Sequence, residues 1–99
     1  MFRIEYDSEA LGDLKFLAVH QQKFILGQIQ THLTDQPDLR SQTLVELRPN
    51  EFFTWELRCH PYRVFYQIDL QNQTVRIQRI GRKEGNRIYI RGELFTLSS

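Results

Sequence analysis

Ninety-nine residues with 40% hydrophobic content describe one domain, expected over 1–99, long enough to bury roughly 60 to 70% of its unfolded surface and too short for two cores. Cys59 is the only cysteine, which excludes an internal disulfide and any multi-thiolate metal site. The net charge of +1 conceals a division, because residues 1–57 carry five Lys/Arg against nine Asp/Glu while residues 58–91 carry eight against two. That basic half is mostly arginine, interleaved with Tyr62, Tyr66 and Tyr89; it suits contact with phosphate, and it would equally suit a plain solvated face.

The opening MFRIEYDSEA has acidic residues at once and no apolar run, so it does not read as a secretory signal, and no apolar stretch approaches the roughly 18 residues of a membrane helix. A cytoplasmic protein with no membrane partner is expected. FRIEY alternates as a first strand and ends at Asp7-Ser8, where a helix begins. Leu11, Leu14, Leu17 and Ala18 recur at helical spacing, and Ile25, Ile29 and Leu33 form a second stripe, placing a helix break near Val19–Gln21. Gly27 inside the second helix costs about 1 kcal/mol relative to Ala, which a close approach to the sheet would offset. Pro37 ends the helical region, and DQPDLRSQTLVELRPNE reads as a surface connection.

Strands follow. FFTWELR alternates with Phe53, Trp55 and Leu57 on one side, and YRVFYQID with Val64, Tyr66 and Ile68 on one side. If the short His60-Pro61 loop pairs Cys59 with Tyr62, then Arg58 faces Arg63, Leu57 faces Val64 and Glu56 faces Phe65. Trp55, Leu57, Val64 and Tyr66 then lie under the helices, with Glu56, Arg58 and Arg63 on the open side. The two opposed arginines call for a counter-charge, either Glu56 or a bound anion. TVRIQRIG and RIYI supply two further strands around RKEGN, where Gly81 and Gly85 allow a bend. The pattern is α+β: a small twisted antiparallel sheet with two N-terminal helices packed on one face. His20 and His32 have no acidic or cysteine partner at ligand spacing, so no metal site is expected.

LRPN, WELR, YRVFYQID and IGRKEGNRIYI together resemble the RelE/ParE toxin superfamily of type II toxin–antitoxin systems, over nearly the whole chain. The resemblance implies the same fold, a cognate antitoxin partner and, in the RelE-like branch, a ribosome-dependent endoribonuclease that cuts mRNA without metal or cofactor, the ribose 2′-hydroxyl attacking the neighbouring phosphate. It assigns Arg63 to the scissile phosphate, Lys83 to the phosphate or leaving group, and Tyr89 to positioning the substrate. Arg82 adds charge beside Lys83, and with Arg58, His60 and Arg87 makes up the RNA-binding set. Where the best-known RelE-like enzymes carry a pair of lysines, this chain has Thr54 and Glu56. Some relatives use a glutamate as base, which makes Glu56 the candidate here; His60 competes, since histidine exchanges protons near neutrality. The ParE-like branch offers the alternative, a DNA gyrase inhibitor that binds without chemistry of its own.

Overall fold

An eleven-residue strand, Thr74–Glu84, organises the molecule. The computed structural model describes residues 1–96, so the last three residues of the expected 1–99 domain lie outside the described residues. In chain order the elements are β1 (Arg3–Tyr6), α1 (Ser8–Phe16), α2 (Val19–Leu33), β2 (Leu44–Glu46), β3 (Trp55–Cys59), β4 (Tyr62–Asp69), β5 (Thr74–Glu84), β6 (Arg87–Ile90) and β7 (Glu93–Phe95). The sheet runs β2-β3-β4-β5-β6-β7 with every pair antiparallel, while β1 lies parallel to β5. No helix among the described residues is long and apolar enough to cross a membrane.

One edge of β5 is shared by three different elements. β1 occupies it from Thr74 to Ile77, and β6 occupies it from Arg82 to Glu84. Between them α1 closes the gap: Asp7 N–H donates to Ile77 O at 2.9 Å, and Ile80 N–H donates to Asp13 Oδ2 at 2.9 Å. Asp13 also accepts from Arg79 Nε and Nη2 at 2.9 and 3.0 Å and from Arg91 Nε at 2.7 Å. A carboxylate inside the core of a small protein is tolerable only with its acceptor sites filled, and here all are filled. The same bond network raises the Arg79 pKa above its already high value. Gly12 makes room for this: a Cβ there would overlap the Arg91 guanidinium. Arg91 itself adopts φ 51° in the β6–β7 turn, a left-handed conformation that its bonds to Asp13 and to Glu9 O help hold.

The inward face of α1 is thus Ala10, Asp13 and Leu14, rotated from the expected stripe, and Leu11 is 45% exposed. α2 presents Ile25, Ile29 and Leu33 as its spacing required, and these pack with Trp55, Leu57, Val64, Tyr66, Val75, Ile77 and Ile80. Each fully buried side chain of this size stabilises by about 1.5–3 kcal/mol. The helix break falls at Leu17-Ala18, earlier than expected, because glutamine side chains do the capping: Ala18 N–H donates to Gln21 Oε1 at 2.9 Å and Gln22 Nε2 donates to Leu17 O at 2.8 Å. Gly27 is a correction, for a Cβ there would meet nothing within 4 Å, so no close approach to the sheet offsets its cost. The connection after Pro37 is also more structured than expected. LVE within it forms β2, with Leu44 in the core, and Pro37 O accepts the Tyr66 hydroxyl at 2.7 Å. β7, unread in the sequence, adds a final strand opposite β6.

Asp13→Ala leaves two guanidiniums and the Ile80 N–H without their acceptor. The Ile80 N–H is buried while Arg79 and Arg91 keep part of their guanidinium in solvent, so the loss should cost about 1–3 kcal/mol and lower the urea midpoint, whereas Glu9→Ala, which removes only an exposed partner, should cost less than about 1 kcal/mol.

Candidate functional site

Alternation along three paired strands assembles the site. β3 and β4 pair Trp55 with Tyr66, Glu56 with Phe65, Leu57 with Val64, Arg58 with Arg63 and Cys59 with Tyr62, the register expected from the sequence. Directly opposed residues share a face, so Glu56, Arg58, Arg63 and Phe65 stand together on the side away from the helices. β5 places Gly81 opposite Arg63, and Lys83, two residues on, shares that face and pairs across to Ile88. Gly81 has to be small, since a Cβ there would stand 2.8 Å from Tyr89 O.

Glu56 is the counter-charge for the opposed arginines. Its Oε1 accepts from Arg58 Nε at 2.8 Å, and its Oε2 lies 3.8 Å from Arg63 Nε, an ion-pair distance beyond hydrogen-bond range. Arg63 Nη1 donates to Tyr62 O at 3.0 Å. With one carboxylate against two guanidiniums, the trio keeps a net charge of +1.

The face expected to be open is partly roofed. Glu56 is 5% exposed and Arg63 7% exposed, while Arg58 remains exposed. Beside Glu56 on the same face, aromatic rings pack together: Phe53 stacks on Phe65 at 4.5 Å between ring centroids, and Phe95 packs against Phe53 at 5.6 Å and Phe52 at 5.3 Å. Phe53 therefore lies on the Phe65 side rather than beside Trp55. The alternation was read too far back, because the chain bends before β3 begins at Trp55. Asn50 holds the bend, its Oδ1 accepting from Phe52 N–H and Phe53 N–H at 2.8 and 2.9 Å.

The remaining expected residues are not all brought to this face. Arg82 is opposite Tyr62 on one side and Tyr89 on the other, so all three point toward the helices. The Arg82 guanidinium sits 5.8 Å from the Tyr62 ring centroid, and Tyr62 meets Phe24 of α2 at 6.1 Å. Tyr89 lines a cavity of about 140 Å³ with Phe16, Leu17, Ile80 and Arg91. It is therefore across the sheet from Arg63 and Lys83. Arg87 is exposed opposite Glu84, and His60 is exposed at the β3–β4 turn, preceding a cis peptide bond to Pro61. Sequence reasoning missed the aromatic cover; the signals were the Phe52-Phe53 pair and Phe95, read as an outlying strand start and an unassigned end.

A largely antiparallel sheet with two helices on one face is a fold this chain shares with solved RelE toxin structures. In the RelBE2 toxin–antitoxin complex of Mycobacterium tuberculosis a chain superposes with TM-score 0.68 at 22% identity, covering 83% of this chain and 98% of that one. The intact RelBE complex of E. coli gives 0.67 at 14% identity over 85% and 99%, and the archaeal RelE–RelB complex of Pyrococcus horikoshii OT3 gives 0.66 at 17% over 85% and 96%. These likenesses establish a common fold. The sequence profile of the ParE toxin of type II toxin–antitoxin systems, parDE, matches residues 4–87, and the chain belongs to that family. No curated protein sequence gave a match.

Cys59, beside this cluster, is buried, and desolvation pushes its thiol up to about 11 while Arg63 pulls the other way. Two outcomes are expected. A thiol reagent at neutral pH should label Cys59 only on unfolding. Because the folded pKa is raised above the unfolded value of 9.0, the stability it confers is complete below pH 9 and is lost as pH rises toward 11. The wild-type urea midpoint should therefore drop more between pH 8 and 10.5 than that of Cys59→Ala; burial raises the Tyr66 hydroxyl in both proteins, which leaves the difference to the thiol.

Proposed function

We propose that this toxin cuts messenger RNA on the ribosome, with the ribose 2′-hydroxyl as nucleophile and with a small cognate antitoxin as its partner in the cell. What supports the reading is the sharing of one sheet face by one carboxylate, two guanidiniums and one ammonium. Attack of a 2′-hydroxyl on the adjacent phosphate needs a base for its proton, cations for the phosphorane oxygens and an acid for the departing 5′-oxygen. Glu56 serves as base through Oε2, the oxygen that accepts no hydrogen bond among the described residues. Arg63 and Arg58 balance the phosphorane, and Lys83 protonates the leaving oxygen, giving a 2′,3′-cyclic phosphate and a 5′-hydroxyl. Tyr89 and Arg82, on the helix face, are assigned to binding the flanking strand, with Arg87 and His60.

A second reading has its own observation. Glu56 and Arg63 are almost wholly enclosed and Tyr89 stands apart from them, as suits a toxin that acts by binding, such as a ParE-like inhibitor of DNA gyrase. Primer extension on mRNA from cells briefly expressing the chain separates the two: cuts inside translated codons favour the nuclease, and inhibited supercoiling without cuts favours the binder.

The antitoxin is supported by the three complexes above, each a toxin bound to an antitoxin. An interface on the order of 1,200–2,000 Å² is expected, and the product of the adjoining reading frame should copurify with this chain. If nothing encoded there binds, that partner is wrong.

For the chemistry, Glu56→Gln keeps shape while removing the proton acceptor, so single-turnover cleavage on programmed ribosomes should fall about 100- to 10,000-fold with binding little changed. Arg63→Ala should cost about 100- to 1,000-fold and also lower the urea midpoint, since it strips a buried partner from Glu56. A collapse for His60→Gln with Glu56→Gln unaffected would transfer the base role to the histidine.

A further inference from the structure

Phe65 lies on β4 and Phe95 on β7, three strand spacings away, or about 14 Å across a flat sheet. Yet both meet Phe53, at 4.5 and 5.6 Å between centroids. The sheet must therefore curl, carrying the β6–β7 hairpin over the face that holds Glu56 and Arg63. The geometry fixes what lies beneath. Across the sheet, Lys83, Ile88 and Phe95 form one row, Glu56 and Phe65 belong to another, and the row of Arg58, Arg63 and Gly81 runs between them. The ring contacts close above that middle row, consistent with the enclosure of Arg63.

From this we infer that Phe95, held by Phe52 and Phe53, is a latch that keeps the arginine–carboxylate cluster closed, and that a phosphate reaches Arg63 only after the end of β7 that carries Phe95 peels away. The latch is built to open. β7 is three residues long and bonds to β6 alone, at the edge of the sheet. On the other side the loop that bears Phe52 and Phe53 is fastened by Asn50 and by one backbone bond, from Leu47 N–H to Thr54 O at 2.8 Å, and Phe52 is 42% exposed. Edge segments with so few buried contacts open sub-globally, without unfolding the core. At its turn the hairpin is tied to α1 by Arg91 and Asp13, and β6 is paired with β5, which leaves the open end of β7, with Phe95, the part free to move. The bearing of the latch on activity rests on the nuclease reading; the closure itself does not.

The test compares wild type with Phe95→Ala and Phe95→Leu, reading modification of Arg63 by phenylglyoxal through mass spectrometry alongside single-turnover cleavage on programmed ribosomes. Losing two aromatic pairs should raise the open population, and with it Arg63 modification, by about 10-fold or more in Phe95→Ala, with Phe95→Leu between the two. Cleavage should rise in the same order. If Arg63 stays as protected in folded Phe95→Ala as in wild type, the latch is overturned. Should Arg63 become reactive while no protein in the series cuts mRNA, the latch stands and the nuclease reading falls; should the wild type cut and Phe95→Ala cut no faster despite an open Arg63, the closure does not regulate. For the case in which Phe95→Ala fails to fold, Arg63 modification in wild type is followed against urea. A latch makes Arg63 reactive well below the global midpoint, together with hydrogen exchange of the β6–β7 amides, whereas reactivity appearing only with global unfolding overturns it.

Discussion

The junction of α1, β5 and the β6–β7 hairpin depends on one carboxylate, that of Asp13. β5 has more edge than β1 and β6 together can pair, and the unpaired stretch at Ile80 would leave a buried N–H without an acceptor. Asp13 supplies that acceptor from a helix, at the cost of bringing a charge into the core, and Arg79 and Arg91 neutralise it. Such an arrangement is weak evidence for net stability, because taking the Asp13 carboxylate wholly out of water costs several kcal/mol before its attraction to the two partly exposed guanidiniums is counted. What it provides is position. Arg91 belongs to the β6–β7 turn, so the same carboxylate that docks α1 also fixes where the hairpin leaves the sheet, and hence where Phe95 lands.

A similar logic governs Glu56. Two arginines opposed across β3 and β4 would repel, and a lone glutamate beside them would be a poor thing to bury. Together they keep a net charge of +1 with the carboxylate between the two guanidiniums, and the burial of Glu56 and Arg63 removes much of the water that would screen them. That enclosure strengthens each electrostatic contact. It also ties the residues best placed for phosphate chemistry to a closed state, which is a requirement of stability before it is one of function. A cluster that must be satisfied internally while unoccupied, and must yield its cations to a ligand when occupied, needs a movable cover.

The parts of this fold legible in the sequence were those set by period and pairing. The Ile25, Ile29 and Leu33 stripe has no competing reading, and the β3–β4 register follows because any slip by one residue puts charge against the helices. Three failures share a cause: the periodic signal was trusted where a polar group had taken over. Asp13 occupies a core position that hydrophobicity assigns to Leu11, since nothing in α1 announces that an arginine eighty residues later will pair with it. Phe53 was counted into β3, although Asn50 turns the chain before it. The α1–α2 break carries no Gly or Pro because Gln21 and Gln22 satisfy the freed backbone groups. Of the candidate site, the Glu56–Arg58–Arg63 grouping was readable from alternation, and its enclosure was not, because the rings that roof it come from two segments joined only by the curl of the sheet.

The same alternation divides the basic half of the chain more deeply than its composition suggests. Arg82 and Lys83 are neighbours in sequence and were read as one patch, yet a strand sends successive side chains to opposite faces. Arg82 goes with Tyr62, Phe24 and Tyr89 to the helix side, and Lys83 goes with Arg63 to the other. Two electropositive surfaces result, one built of aromatic rings and a guanidinium on rigid, core-packed elements, the other of charges beneath a movable cover. A nucleic-acid strand that met both would have to pass around the end of the sheet at the β5–β6 turn, where Arg87 is exposed. A partner contacting only the rigid face would be blind to whether the latch is open. Ligands of the two faces can therefore be distinguished physically, since only one that requires Arg63 must do work against the latch.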